Sequence, residues 1–222
     1  MTGSVNLEPS GKSAKISVIV PVYNVSNYKE NLSFLHQFFP EGEYELIFVD
    51  DGTGKGAAIK RGLALANGEY VVMIDGDLQI SPTEVQSFFK IMDVYNADAV
   101  IGNKRHPFST VNYTLSRKII SHSYNEIVRL LFGFQLRDSQ CGLKIFKRAP
   151  LEKIMSRILV KQYAFDIEVL VALKDNGFRV VDAPVYVKKT YGKGSVSIKN
   201  ILNTLKDTLA VWHRRRNKWY QL

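Results

Sequence analysis

The chain has 222 residues, 45% hydrophobic and 23% charged, a balance that suits one globular domain and excludes a fibrous repeat or a largely disordered chain. Thirty Lys and Arg against 21 Asp and Glu leave a formal charge of +9, which favours anionic partners such as phosphates, nucleic acid or an anionic bilayer without choosing among them. The single cysteine, Cys141, excludes an internal disulfide and a thiolate metal cluster, and points to a reducing compartment.

Residues 1–15 are polar, lack the apolar core of a secretory signal, and read as a flexible leader. Residues 16–20 form a β-branched run ending at Pro21, residues 28–39 carry apolar side chains at helical spacing, and residues 44–49 form another apolar run ending at Asp50 and Asp51. Residues 57–66 predict a helix closed by Asn67 and Gly68, 70–74 a strand, 82–95 a helix and 97–101 a strand. Such alternation predicts an α/β fold with a mostly parallel central sheet flanked by helices.

The second half predicts a helix over 115–132, a strand over 142–146, a helix over 165–176 ended by Gly177, and a final strand over 178–187 with Pro184 near its edge. A helix over 200–216 follows, its basic end (His213, Arg214, Arg215, Arg216) favourably opposing the helix dipole. Ile198, Ile201, Leu202, Leu205, Leu209 and Trp212 recur at helical spacing. The stripe fits either core packing or an interfacial helix whose aromatic and basic tail meets lipid headgroups. No apolar run approaches the ~18 residues of a spanning helix, so membrane contact is expected to be peripheral. The resulting division is a leader over 1–15, a catalytic domain over 16–197 and an amphipathic basic helix over 198–222.

In open parallel sheets ligands sit beyond the carboxyl ends of the strands, where this chain places Asp50-Asp51 and Asp75-Gly76-Asp77. Gly76 lets the backbone turn closely, so the flanking carboxylates can reach a hard divalent cation that screens a diphosphate. Asp50 and Asp51 also fit a turn and helix cap. Gly52-Thr53-Gly54-Lys55-Gly56-Ala57 satisfies the dinucleotide pattern Gly-x-Gly-x-x-Gly/Ala. Against that reading, Asp50 and Asp51 would repel a pyrophosphate and Asp77 would have no role. The histidines lack metal-ligand spacing, and Cys141 has no neighbouring base and reads as packing.

Taken in order, Pro21-Val22-Tyr23-Asn24, Val49-Asp50-Asp51-Gly52, Gly54-Lys55-Gly56-Ala57-Ala58 and Asp75-Gly76-Asp77-Leu78-Gln79 resemble the GT-A fold family 2 glycosyltransferases. The segments 138–146 and 163–170 are similar to the dolichyl-phosphate glucosyltransferase branch, with dolichyl-phosphate mannose synthases next. The resemblance implies an inverting, metal-dependent hexosyltransferase, peripheral on the cytoplasmic face of a membrane, taking UDP-glucose or, second, GDP-mannose as donor and a dolichyl or other polyprenyl phosphate as acceptor.

It further implies that Pro21, Tyr23, Asn24, Asp50, Asp51, Lys55, Asp75, Gly76 and Asp77 face the nucleotide sugar. Asp75, Asp77 and Gln79 would hold Mg²⁺ or Mn²⁺, and Arg117, Arg137 and Lys193 would take the acceptor phosphate. Asp77, Arg117, Arg137 and Asp166 would serve the reaction itself, with Asp166 or Glu168 orienting sugar hydroxyls; two apart in a helical pattern, these two face different directions, which leaves the other as a cap or salt-bridge partner. The basic tail also fits nucleic acid, but such a module has no use for two acidic strand ends, and no nucleic-acid partner is expected. The chain departs from the family where a further helix and strand normally follow the Val-Asp-Asp-Gly turn. Here only Thr53 separates Gly52 from Gly54, which predicts a domain shortened by one strand–helix unit.

Overall fold

The sheet begins where β-branched and apolar residues run together, because such side chains pack well on a pleated, buried surface. In the computed structural model these runs are β2 (Ile16–Pro21), β3 (Tyr44–Val49) and β4 (Tyr70–Ile74). The structure describes residues 5–8, 14–22, 38–39, 42–50, 52–81, 83–111, 115–133, 138–187 and 198–222, with the backbone alone for 5–8 and 115–118. The expected helix over 28–39 lies almost wholly outside them.

β2 pairs in parallel with both β3 and β4. Helix α1 (Lys55–Leu65) follows β3, and α2 (Glu84–Val94) joins β4 to β5 (Ala99–Asn103). After β5 come β6 (Thr110–Val111), α3 (Leu115–Phe132), β7 (Leu143–Lys147), α4 (Arg148–Met155) and α5 (Phe165–Asp175). The chain then forms β8 (Val180–Pro184), β9 (Tyr186–Val187) and α6 (Ile198–Arg216). β8 is parallel to β5, and β6 and β9 form a separate parallel pair.

β7 lies between β4 and β5 and is antiparallel to both. The run 142–146 looks like any buried strand, and its direction depends on the long excursion through β6 and α3, which returns the chain the opposite way. The consequence is functional. Leu143 pairs with Ile74, so the residues entering β7 stand beside the carboxyl end of β4.

The leader needs correction. Val5–Glu8 forms an edge strand, β1, antiparallel to β3. Val-Asn-Leu-Glu alternates apolar and polar residues as a strand does, and its pairing satisfies backbone groups that β3 would otherwise present as a bare edge. Between Gly52 and Gly54 there is no further strand or helix, as the sequence predicts.

Side chains alternate across the sheet and build a core on each face. Ile19, Ile47, Val71, Met73 and Phe146 pack toward α1, α4, α5 and the end of α6. Val18, Leu46, Val72, Ile74 and Ile145 pack toward Phe88 and Met92 of α2. Each such side chain, fully buried, contributes about 1.5–3 kcal/mol relative to exposure. The C-terminal helix divides between core and surface. Val211 and Tyr220 are fully buried, whereas Ile198 and Leu202 are 76% and 60% exposed. No helix among the described residues is long and apolar enough to cross a membrane.

Candidate active site

The acidic triplet leaves β4 at its carboxyl end. The Leu78 N–H donates to the Asp75 carbonyl at 3.0 Å, and buried Leu78 takes a positive φ of 45°. A leucine in that region carries strain of about 1–3 kcal/mol, of the kind that collects at functional sites. The turn leaves Asp77 exposed and Gly76 buried. Gln79 clamps the Asp77 carboxylate through its side-chain amide at 2.6 Å and its backbone N–H at 3.3 Å.

Asp75 stands against the residues that enter β7. A Cβ placed on Gly142 would lie 2.4 Å from Asp75 Oδ2, so only glycine admits the carboxylate here. Lys55 Nζ lies 2.8 Å from Asp75 and 3.0 Å from Asp166 Oδ2, while Lys144 Nζ lies 2.9 Å from Asp166 Oδ1. Lys144 also donates to the Cys141 carbonyl. Two carboxylates and two ammonium groups thus form one continuous network.

Burial opposes the charge on Asp166, but Lys144 and Lys55 outweigh it and hold the carboxyl below its ordinary range. Burial opposes the charge on Lys55 too, and Asp166 and Asp75 more than reverse it, so Lys55 stays protonated. Asp77 shifts the other way. Lost hydration raises it first and the negative charge of Asp75 second. Burial pushes the Cys141 thiol up to about 11, which suits packing rather than nucleophilic chemistry.

These groups face a cavity of about 540 Å³ whose wall includes Pro21, Gly52, Lys55, Asp75, Gly76, Asp77 and Asp166, a size common for ligand sites. Gln140, Gln162, Tyr163, Asn200, Asn203 and Thr204 complete it. A smaller space of about 150 Å³ shares Asp75, Asp77 and Gln140 and adds Gln79 and Lys104. Lys104 also borders a groove of about 750 Å³ with Arg105, His122 and Arg129.

The glycine-rich turn has a structural cause. Gly54 has φ 145°, and a Cβ there would meet the Lys161 carbonyl at 2.5 Å. That carbonyl accepts from the Gly56 and Ala57 N–H groups at 2.8 and 3.2 Å. A dinucleotide pyrophosphate would need those first-turn donors of α1 for itself. Here the protein uses them, which removes the oxidoreductase reading.

Of the residues named from the sequence, Pro21, Lys55, Asp75, Gly76, Asp77 and Asp166 share the cavity, and Gln79 stands beside it. Asp50 is exposed and is not on the cavity wall. Tyr23, Asn24, Asp51, Arg137 and Lys193 lie outside the described residues, as does the side chain of Arg117.

Of Asp166 and Glu168, Glu168 is the one that bonds backbone and pairs with a cation. It is fully buried, takes the Leu159 and Val160 N–H groups at 2.9 and 2.6 Å, and binds Arg214 at 2.8 Å. It touches no sugar site. The basic tail needs a correction. Arg214 turns inward to Glu168 and Arg215 to Asp175 at 2.9 Å, while Arg216 stacks over Trp212. Buried carboxylates need such partners, so two of the tail's cations are engaged inside the protein. Lys144 was missed by role, although a lysine inside the apolar run Leu143–Lys147 is itself a signal of a buried acidic partner.

No group of three or more His, Cys, Asp or Glu that could hold a metal occurs among the described residues. Asp75 and Asp77 nevertheless fit a divalent cation of the Mg²⁺ or Mn²⁺ kind. Such ions take one or two carboxylates and complete their shell with water and substrate phosphates, and a cation would offset both the lost hydration and the repulsion by Asp75 that raise Asp77.

Residues 52–155 match the family model described as Glycosyl transferase family 2. The chain is 26% identical over 240 residues to glycosyltransferase AglD of Haloferax volcanii, covering 94% of this chain and 37% of that protein. It is also 26% identical to the dolichyl-phosphate beta-glucosyltransferases of Dictyostelium discoideum, covering 70% of this chain and 61% of that protein, and of Drosophila melanogaster, covering 91% and 76%. The chain thus spans little more than a third of the first relative and about three-fifths of the second. Among solved structures, glucosyl-3-phosphoglycerate synthase from Mycobacterium tuberculosis, crystallised with Mn²⁺, UDP and phosphoglyceric acid, superimposes with a TM-score of 0.64 at 16% identity, covering 91% of this chain and 78% of that one. Its complex with Mn²⁺, UDP-glucose and phosphoglyceric acid gives 0.62 at 15%, covering 90% and 80%. At that identity the likeness is one of fold.

Proposed function

We propose that this chain, which carries a glycosyl transferase family 2 domain, moves a hexose from a nucleotide diphosphate sugar to a polyprenyl phosphate, with inversion at the anomeric carbon. The observation that carries the reading is the acidic triplet at the carboxyl end of β4, on the wall of a cavity that also holds Lys55 and Asp166. UDP-glucose is the first donor to test, because two relatives are named dolichyl-phosphate beta-glucosyltransferases; GDP-mannose is the second.

Asp75 and Asp77 would hold Mg²⁺ or Mn²⁺ on the donor side of the cavity, and the ion would supply charge neutralisation for the diphosphate of the departing nucleotide. Lys55, held protonated, adds positive charge on the same side. Asp166, fixed by Lys144 and Lys55, accepts hydrogen bonds from sugar hydroxyls. A phosphate acceptor is anionic at neutral pH, so its attacking oxygen needs no strong general base. Cations that bring it in line replace one. Arg117, Arg137 and Lys193 keep that role, and the groove bordered by Lys104, Arg105 and Arg129 extends it toward exposed Ile119 and Ile120 on α3.

Membrane contact is peripheral, at the cytoplasmic face, through exposed Ile198, Leu202 and Leu209 of α6. Flotation with anionic liposomes tests it, and a protein that stays at the bottom of the gradient at low salt sinks this part of the reading.

The transfer itself is tested with labelled UDP-glucose and GDP-mannose, polyprenyl phosphate and Mn²⁺, with the product extracted into organic solvent. Label in the organic phase that depends on the lipid phosphate is the expected result. None from either donor contradicts the proposal. Gly142→Ala adds a geometric test. Its Cβ displaces the Asp75 carboxylate, and a misplacement on the scale of an ångström lowers the rate by about 10²-fold, while the thermal midpoint should change little.

A further inference from the structure

The tail beyond α6 reaches the donor side of the cavity through two sets of hydrogen bonds joined by the backbone of residues 159–162. Tyr220 is fully buried, and its hydroxyl donates to Glu168 Oε1 at 2.6 Å while accepting from Arg214 Nε at 2.9 Å. Arg214 Nη2 donates to the same Oε1 at 2.8 Å. The other carboxylate oxygen, Oε2, accepts from the Leu159 and Val160 backbone N–H groups. The next residue, Lys161, gives its carbonyl to the first turn of α1 at Gly56 and Ala57. Gln162 donates to the Thr53 carbonyl, and Gln162, Tyr163, Thr53 and Lys55 all stand on the cavity wall.

Both oxygens of Glu168 are therefore engaged, one by the tail and one by the segment that braces the glycine-rich turn. A buried carboxylate with this many partners has little freedom to rotate, so the tail fixes the height at which residues 159–163 meet α1. We infer that Tyr220, acting through Glu168, is a positioning residue for the nucleotide side of the donor cavity. The inference rests on the donor assignment above. It does not concern the acceptor, because none of these residues borders the groove beside Arg105.

Tyr220→Phe removes one hydroxyl and keeps the ring. The test is calorimetric titration of the full chain with UDP in the presence of Mn²⁺, beside Trp219→Phe, which removes another hydrogen bond of the tail, from Trp219 Nε1 to the Arg157 carbonyl at 2.9 Å, but leaves Glu168 alone. Losing one hydrogen bond to a charged group is expected to weaken UDP binding about fivefold or more in Tyr220→Phe, with Trp219→Phe within twofold of wild type and the KM for polyprenyl phosphate unchanged in both. Equal UDP affinity in Tyr220→Phe and wild type, or an equal loss in both variants, overturns the inference and leaves Tyr220 a stability residue. If Tyr220→Phe does not accumulate as folded protein, hydrogen exchange of the wild type decides. Slower exchange of the Leu159 and Val160 amides on adding UDP supports the coupling, and unchanged exchange refutes it. Wild type that binds neither UDP nor GDP removes the donor assignment itself, and this inference with it.

Discussion

Asp75→Asn is expected to lower hexose transfer by about 10²–10³-fold, the range seen when one fixed electrostatic stabiliser of a transition state is removed. The substitution keeps the shape of the side chain and removes its charge. Three effects then act together. A divalent ion held there would lose one of its two carboxylates, Lys55 loses the partner 2.8 Å away, and the like charge that helps raise Asp77 disappears. The last effect favours ionised Asp77, so metal binding falls but need not vanish, and raising Mn²⁺ should recover part of the rate. The assay is organic-extractable label per enzyme at two Mn²⁺ concentrations, with the thermal midpoint as control. A loss smaller than about tenfold would place the ion elsewhere.

The second large effect is on stability. Lys144 is 2% exposed and its partner Asp166 is 4% exposed. Lys144→Met fits a similar volume but leaves Asp166 with Lys55 alone, and breaking a buried pair from one side costs about 3–5 kcal/mol. Denaturant midpoints measure it. Adding Asp166→Asn to Lys144→Met should recover part of the loss, because the uncompensated carboxylate is then gone, whereas simple addition of the two single effects would deny the coupling.

The same network predicts a pH dependence. A carboxyl held below its ordinary range contributes stability that is fully present above about pH 4 and lost as pH falls through the depressed folded value. Wild type should therefore keep the whole contribution of Asp166, unchanged, between pH 5 and 8 and lose it only in stronger acid. In Lys144→Met the folded-state value rises toward the unfolded one, so the acid-dependent loss of stability between the two should be smaller than in wild type. A loss of the same size in both proteins would show that Lys144 does not hold Asp166 charged.

Much of the fold was legible because local chemistry and position agree in the first half. Apolar runs end at Pro21, Asp50 and Asp75, and the strands they form, β2, β3 and β4, pair in parallel, as an alternating strand–helix pattern implies. The direction of β7 was not legible. Leu143–Lys147 has the composition of any buried strand, and orientation is decided by pairing partners far away in sequence. β1 was hidden for a similar reason, since four residues in a polar stretch gain their structure from the open edge of β3.

For the site, Asp75 and Asp77 were readable from their place at a strand end. Lys144 was not given a role, because its partner Asp166 lies 22 positions on and only the tertiary fold brings the two side chains together. Asp166 and Glu168, two apart on a helix, were expected to face different directions, but the sequence did not say which of them reaches the site. The fold separates them, turning one toward the cavity and the other toward Arg214 and Tyr220. The basic tail shows the limit of composition, since Arg214 and Arg215 satisfy internal carboxylates.

The central claim is that Asp75 and Asp77 receive a nucleotide diphosphate through a divalent ion. Calorimetric titration of the wild type with UDP, once with Mn²⁺ and once with a chelator, tests it most directly. Binding at least about tenfold tighter with Mn²⁺, a gain of roughly 1.4 kcal/mol, that is lost in Asp77→Ala is the predicted result. Equal affinity with and without the metal, or a metal effect that survives Asp77→Ala, would contradict it.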